Sequence, residues 1–417
     1  MFPKTKIRFY YGWVIVIVIT ITTVILMGTR HSFGIFFKPL ASEFDLNRTA
    51  TSSLFSMYWI LCAVFCIVGG WAMDRYGSRL LFFLMGLFTG LSLLLTSQVT
   101  SWWQLFLSYS LLLSIGTGPL YTIAQSTVSK WFSRRRGVAM GVTHCGMGIG
   151  QILYSPLSAF LISGYGWRVS YIVLGLLVCV FVIPLSILMR NDPSKMGAPL
   201  DSDEFKTTGT AIEAKEEELQ LTGLSLSQAV RSWNYWIYLP AWFFIGISNW
   251  MVLTHIVPYA TDLGIPSIEA STIISVNGIF GMLSAIFIGR ITDVKGRKNP
   301  GIFLALIRAT ALIGLIWARE IWAFYLFGMA FGICQSGLSI VLGAMCADIF
   351  GMRHLGMIMG TLGAVFSLGA SVGPLIGGLF YDASGSYTMA FVTSSVVSML
   401  SALSLALIRV ETKSETK

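Results

Sequence analysis

Residues 70–79 read Gly70-Trp71-Ala72-Met73-Asp74-Arg75-Tyr76-Gly77-Ser78-Arg79, and residues 289–298 read Gly289-Arg290-Ile291-Thr292-Asp293-Val294-Lys295-Gly296-Arg297-Lys298. Both follow the pattern G-x-x-x-D-x-x-G-x-[RK]. Each copy comes directly after one long apolar run and before another, so each is a short polar loop between two hydrophobic segments. A loop repeated at matching places in two halves of a chain points to a duplicated unit. Its glycines let neighbouring helices approach. Its aspartate caps a helix N-terminus or pairs with a cation, and its basic residues hold one mouth of the molecule shut. Asp74, Arg75, Arg79, Asp293 and Arg297 are therefore gating candidates, with Arg290 part of the same device. A weaker echo links Trp131-Phe132-Ser133-Arg134-Arg135-Arg136-Gly137 with Ile349-Phe350-Gly351-Met352-Arg353-His354.

Working outward from the two loops, a membrane span needs about 20 apolar residues. Six such runs fill the first half, at 12–37, 51–73, 80–98, 102–127, 138–163 and 168–190. Six more fill the second, at 233–261, 269–292, 301–319, 321–346, 356–381 and 386–409. The runs are continuous rather than alternating, which selects helices over a β-barrel. The expected architecture is an all-α membrane protein of twelve transmembrane helices in two six-helix bundles, residues 1–190 and 232–417, joined by a polar linker over 191–231. That linker holds Asp192, Pro193, Asp201, Asp203, Glu204 and the run Glu216-Glu217-Glu218, and reads as a solvated segment with one short amphipathic helix. The first run is too long for a signal-peptide core and no A-x-A site follows it, so it is kept as a span.

Composition agrees. Of 417 residues, 55% are hydrophobic and 11% charged, with a mean hydropathy of +0.75. Soluble domains carry about 25% charged residues, so a soluble enzyme is excluded. The net charge is +9, from 28 Lys and Arg against 19 Asp and Glu. Its placement matters more than its size. Lys4, Lys6, Arg8, Arg75, Arg79, Lys130, Arg134, Arg135, Arg136, Lys295, Arg297, Lys298 and Arg353 all fall on one side. The other side has Lys38, Arg48 and Arg319, largely offset by Glu43, Asp45 and Glu320. The positive-inside rule puts both termini and the linker in the cytoplasm of an inner (plasma) membrane, and the excess charge gives no reason to expect nucleic acid. Cys62, Cys66, Cys145, Cys179, Cys334 and Cys346 lie in or beside apolar runs without ligand spacing, and read as small packing residues.

Several stretches resemble one branch of the major facilitator superfamily, the monocarboxylate transporters and the bacterial oxalate/formate antiporters. They are Tyr11-Gly12-Trp13, Ser32-Phe33-Gly34-Ile35-Phe36-Phe37-Lys38-Pro39-Leu40, Trp131-Phe132 with Arg135-Arg136-Gly137, His255-Ile256-Val257-Pro258-Tyr259 with Asp262 and Gly264, and Gly373-Pro374, Gly377-Gly378, Tyr381-Asp382 and Tyr387. The resemblance covers nearly the whole chain. It implies transport of small carboxylates, proton-coupled or by anion exchange, with no cofactor and with a monomer as the working unit. It also implies that Tyr121 matches a tyrosine used at the substrate, and that His31 stands where animal members place a lysine. One departure counts against a direct carry-over. The family's carboxylate-anchoring arginine of span eight, four residues before the loop glycine, is Ala285 here, and the aspartate one turn earlier is Gly281.

The interior charges are lopsided. An ionisable group deep in a span costs about 2.5–3.5 kcal/mol on the insertion scale and is a functional candidate by default. The candidates are Arg30, His31, His144, His255 and Arg308, with no Asp or Glu in the middle of any span. A cationic interior favours an anionic cargo. Arg30 and His31 diverge by about 100° on a helix, so one of them is expected to face the cavity squarely; the bland alternative is that Arg30 snorkels outward. His144 faces either the cavity or a packing seam among Gly146, Gly148 and Gly150. His255 is either a proton acceptor or closes an outer gate with Asp262. Arg308, on a peripheral helix, reads as structural. Tyr121, Gln125, Asn249, Tyr259, Asn277 and Gln335 with Ser336 complete the polar set, and Phe33, Tyr58 and Trp59 shape the pocket.

The resulting expectation is a secondary active transporter of a small organic anion, of monocarboxylate type, working by alternating access. Coupling to protons through His31, His255 or Asp262 is the first reading, and exchange against another carboxylate the alternative. A facilitator of a neutral or cationic solute is the remaining transporter rival. A membrane enzyme would need a nucleophile–base set or a metal cluster at depth, and the four histidines have no acidic partners. No Walker motif is present.

Overall fold

The computed structural model describes residues 10–132, 136–191, 223–351 and 354–408, with the side chains of residues 74, 136, 286, 289 and 293–295 outside the described set. Every extended element in it is a helix. Eleven helices are long and apolar enough to cross a membrane. One of them, Arg136–Leu188, is two spans run together, because Gly166 inside it has φ +82° and ψ 163°. Spans five and six therefore meet at a glycine corner without an intervening loop, and the chain makes twelve crossings in two six-helix bundles.

Three boundaries differ from those read off hydropathy. Span one is two helices, Gly12–His31 and Phe33–Glu43, broken at Ser32. It runs past residue 37 because Lys38, Pro39 and Glu43 sit at a wet rim that hydropathy reads as loop. Span four (Trp102–Trp131) contains a π-helical turn at Phe106–Leu111 and a break at Gly118-Pro119. Span nine starts and ends earlier than expected, as Lys298–Gly314 followed by a single 3₁₀ turn to Trp317.

The repeated loop has one geometry in both copies. Span two ends at Tyr76 and span three starts at Ser78, with Gly77 between them at φ +80°, ψ 171°. Span eight ends at Lys295, and Gly296 follows at φ +76°, ψ 168°. This region of backbone space is essentially restricted to glycine, at about 1–3 kcal/mol for any other residue. The second glycine of the motif is thus a corner piece. The first copy's leading glycine, Gly70, has only Thr122 within 4 Å of where a Cβ would stand. Its neighbour Gly69 makes the close approach instead, a Cβ there falling 2.2 Å from Pro119.

The bundles meet along spans two and eleven, spans five and eight, and the second piece of span one against span seven. At the side opposite the chain ends they are locked together. Asp262 at the end of span seven binds Lys38 at 2.6 Å and Arg48 at 3.0 Å. Asp382 at the end of span eleven accepts from the backbone N–H groups of Arg48 (3.0 Å) and Thr49 (2.8 Å) and from the Thr49 hydroxyl (2.5 Å). A carboxylate of one bundle therefore caps the N-terminus of span two in the other, where the helix dipole favours it. Gly378 sits beneath this lock, its Cβ position 2.7 Å from the Arg48 carbonyl oxygen. On the side of the chain ends, by contrast, Tyr121, Val138, Val142 and Met357 are exposed. The molecule is closed on the far side and open on the side of its termini.

Candidate functional site

The break at Ser32 decides where the interior charges sit. The Ser32 hydroxyl and N–H both turn back onto the Gly28 carbonyl (2.9 and 3.1 Å), which ends the first piece of span one at Arg30 and His31. The second piece then leans on span seven, where Gly34 lets it lie against the carbonyl oxygens of Leu253 and Thr254. A helix interrupted at mid-membrane is tolerated only where protein or a cavity receives the freed backbone.

Arg30 is almost fully buried. Its Nε donates to the Tyr58 hydroxyl at 2.6 Å and its Nη2 to the Thr117 carbonyl at 3.2 Å. Its guanidinium lies 4.8 Å from the Trp59 ring centroid. Among the described residues no carboxylate pairs with it. The snorkelling alternative does not hold, because span two and the broken part of span four wrap the side chain.

His31 points the other way, towards the second bundle. Its Nδ1 is 2.8 Å from the Met27 carbonyl and its ring is 5.2 Å from that of Trp250. Trp250 in turn packs on Trp59 at 4.8 Å, and Trp59 on Phe366 at 5.9 Å. This aromatic cluster joins the bundles at the centre. Within it the indole N–H groups of Trp59 and Trp250 and the Nε2 of His31 are buried without a partner. Buried polar groups in proteins are nearly always satisfied, and here three unpartnered ones gather in one aromatic cluster beside Arg30. Trp250 and Phe366 were not legible as site residues, since each stands in an ordinary apolar run.

A second group lies nearer the open side. His144 is half-buried and lines a narrow cleft with Gln151, Asn277, Gln335 and Ser336. Of its two expected placements it takes the cavity, 6.3 Å from the ring of Tyr121. Gln125 is one turn beyond Tyr121 and only partly covered. Gln151 was missed, although it is seven residues after His144 and so on the same helix face.

The other candidates fall elsewhere. His255 is fully buried, with Nε2 2.9 Å from the Pro374 carbonyl and 3.4 Å from the Ser52 hydroxyl. It holds spans two, seven and eleven together. A His255–Asp262 gate contact is not made, because Asp262 faces Lys38 and Arg48 two turns further out; those two cations and Asp382 form the lock that sequence reading assigned to the histidine. Tyr259 points into the second bundle, accepting from Arg319 at 2.9 Å, and does not reach the centre. Asn249 accepts from Arg308 at 3.3 Å, and Arg308 lies over Phe331 at 4.7 Å. Of the loop cations, Arg75 rests on Trp71 and Tyr76, Arg79 is exposed at the start of span three, and Arg297 pairs with Asp348 at 2.7 Å. The side chains of Asp74 and Asp293 lie outside the described residues, as do Arg134, Arg135 and Arg353.

The buried ionisable set among the described residues is thus two arginines and two histidines, with no acid. No group of three metal-ligating side chains occurs among them.

Residues 19–336 and 319–417 match the family model described as Major Facilitator Superfamily. The chain is 26% identical over 396 residues to monocarboxylate transporter 13 of Bos taurus, covering 92% of this chain and 86% of that protein. It is 25% identical over 417 residues to monocarboxylate transporter 12 of Rattus norvegicus, covering 96% and 86%. Two solved structures share the fold. A D-xylose-proton symporter superposes with a TM-score of 0.76 at 16% identity, over 97% of this chain and 99% of that one. An inward-facing bacterial homologue of the human lysosomal transporter Spinster gives 0.72 at 14% identity, over 95% of each chain.

Proposed function

This chain belongs to the Major Facilitator Superfamily, and from that premise we propose that it is a secondary active carrier of a small organic anion of the monocarboxylate type. The observation that carries the reading is Arg30, a buried guanidinium with no carboxylate partner among the described residues, held inside the first bundle against Trp59, whose indole N–H, like that of Trp250 beyond it, is unanswered. A monovalent carboxylate neutralises it and supplies the acceptor that the Trp59 and Trp250 indoles lack. Arg30 takes the place of the arginine absent at Ala285. The names of the relatives agree with such a cargo. With the basic loops inside, the state described is open to the cytoplasm, and transport proceeds by alternating access as the bundles rock about the aromatic junction.

In this reading the proton rides on His31. Its Nδ1–H is engaged by the Met27 carbonyl, which leaves Nε2 without a partner on the side of Trp250. A carboxylate bound at Arg30 favours the imidazolium, so cargo and proton enter together. Exchange against a second anion uses the same site without the proton.

The test is thermal stabilisation of the purified protein. Short monocarboxylates at 100 times their Kd should add about 2.7 kcal/mol to its stability, and the matched carboxamides should add nothing. Because anion and proton bind together, stabilisation is larger at pH 5.5 than at pH 7.5, and His31→Gln removes that difference while leaving the shift at pH 7.5. A response to sugars or amines with none to any carboxylate sinks the reading.

A further inference from the structure

Asn277 of span eight lies between the two bundles and is 3% exposed. Its Nδ2 donates to Gln151 Oε1 of span five at 3.0 Å and to Gln335 Oε1 of span ten at 2.9 Å. Its own Oδ1 is buried and meets no partner. The three amides line the cleft together with His144 and Ser336, and among the described residues no acid, lysine or arginine lines it.

The arrangement is rigid. A Cβ at Gly332 would stand 2.3 Å from the Asn277 carbonyl oxygen, one at Gly278 2.7 Å from the Gly148 carbonyl oxygen, and one at Gly281 2.8 Å from the Ser336 hydroxyl. Two close backbone approaches, and a third of backbone to a serine hydroxyl, fix spans five, eight and ten and so hold the amides in place. A buried carbonyl left without a donor is costly. Such a cost, set in a preorganised ring on a cavity wall, is the mark of a recognition site.

We propose that this amide cluster is a hydroxyl-recognition subsite, so that the cargo is a hydroxylated carboxylate rather than a plain alkanoate. The proposal rests on the anion reading only for the acidic end of the cargo. A methylene group at the cluster leaves the Asn277 Oδ1 unpaired. An ionised carboxylate has acceptors only and meets that oxygen unfavourably. An ammonium finds no counter-charge in the cleft. A hydroxyl both donates and accepts, and therefore answers the amide whichever way it is turned.

The experiment uses the full chain and matched ligand pairs, gluconate against hexanoate and 4-hydroxybutyrate against butyrate, with xylitol as the uncharged polyol. Binding is read by thermal shift and by counterflow in liposomes. The hydroxylated member of at least one pair is expected to bind 10-fold or more tighter, on the order of one lost buried hydrogen bond. Asn277→Leu reduces that preference to within about twofold, and Gln335→Leu serves where the first variant does not fold. No preference in either pair, whether both members bind or neither, overturns the proposal, as does a preference that survives the folded variant. The two readings separate cleanly. If xylitol binds as well as gluconate and Arg30→Gln leaves both unchanged, the subsite stands and the anion reading falls. If hexanoate equals gluconate and both are lost in Arg30→Gln, the reverse holds.

Discussion

Arg30→Gln abolishes carboxylate uptake, by 100-fold or more, in a protein that still folds. The guanidinium brings a buried positive charge against Trp59, one ring from the second bundle, and hydrogen bonds to a charged group contribute about 1.5–3 kcal/mol each. Losing a two-point contact with a carboxylate therefore removes roughly 3–6 kcal/mol of binding, which more than covers a factor of 100. Stability moves little or upward. Glutamine keeps a donor for the Tyr58 hydroxyl, which also has the Thr117 hydroxyl at 2.6 Å, and an unpaired buried charge is removed. Arg30→Lys retains the charge but neither the fork nor the flat face against Trp59, and should keep part of the activity. Uptake and melting temperature measured on the same preparations decide the matter. Uptake by Arg30→Gln within twofold of the unaltered protein would mean a neutral cargo.

Gly378→Val arrests the cycle with the far side open. A Cβ at Gly378 would lie 2.7 Å from the Arg48 carbonyl oxygen, 2.9 Å from its carbon and 2.9 Å from the Ser52 hydroxyl. Two of these atoms are backbone and cannot step aside. All three belong to span two, in the other bundle, so the substitution leaves the packing of its own bundle intact and penalises only the closed lock. Overpacking of this kind costs about 1–3 kcal/mol, and at the upper end it shifts a two-state population by roughly 100-fold. Transport falls accordingly. Ser52→Cys, in a background without the six native cysteines, is shielded in the closed lock and becomes open to a membrane-impermeant thiol reagent added outside when Gly378→Val is present. Continued protection of that cysteine would refute the argument.

The bundle architecture was legible because it rests on long hydrophobic runs and on a loop motif whose second glycine has one backbone geometry in both copies. What hydropathy hides are features that depend on single backbone angles. Ser32 breaks span one inside an unbroken apolar stretch, whereas the corner at Gly166 falls between spans five and six where hydropathy already divides them. For the site, charge economy picked out Arg30 and His31, since a cation at depth is conspicuous. Trp250 and Phe366 were hidden because an aromatic on a membrane helix is commonplace, and only three-dimensional contact shows which of them face the centre. The lock failed for another reason. Asp262 and Asp382 are ordinary helix-end acids in sequence, and their partners lie 214 and 334 residues away.

An arginine without an acid also has an electrical consequence. In the exchange mode, where His31 carries no proton, the vacant carrier holds the uncompensated positive charge of Arg30 inside the membrane, and a bound monovalent anion neutralises it. Moving a full elementary charge through the membrane voltage is worth about 2.3 kcal/mol per 100 mV, and sealing a bare guanidinium away from water is costly in itself. The return of the vacant carrier is therefore the slow and voltage-dependent half-turn, while one anion swapped for another crosses electrically silent. Under a steady potential, swap rates stay constant as net flux changes, and an idle carrier leaks little.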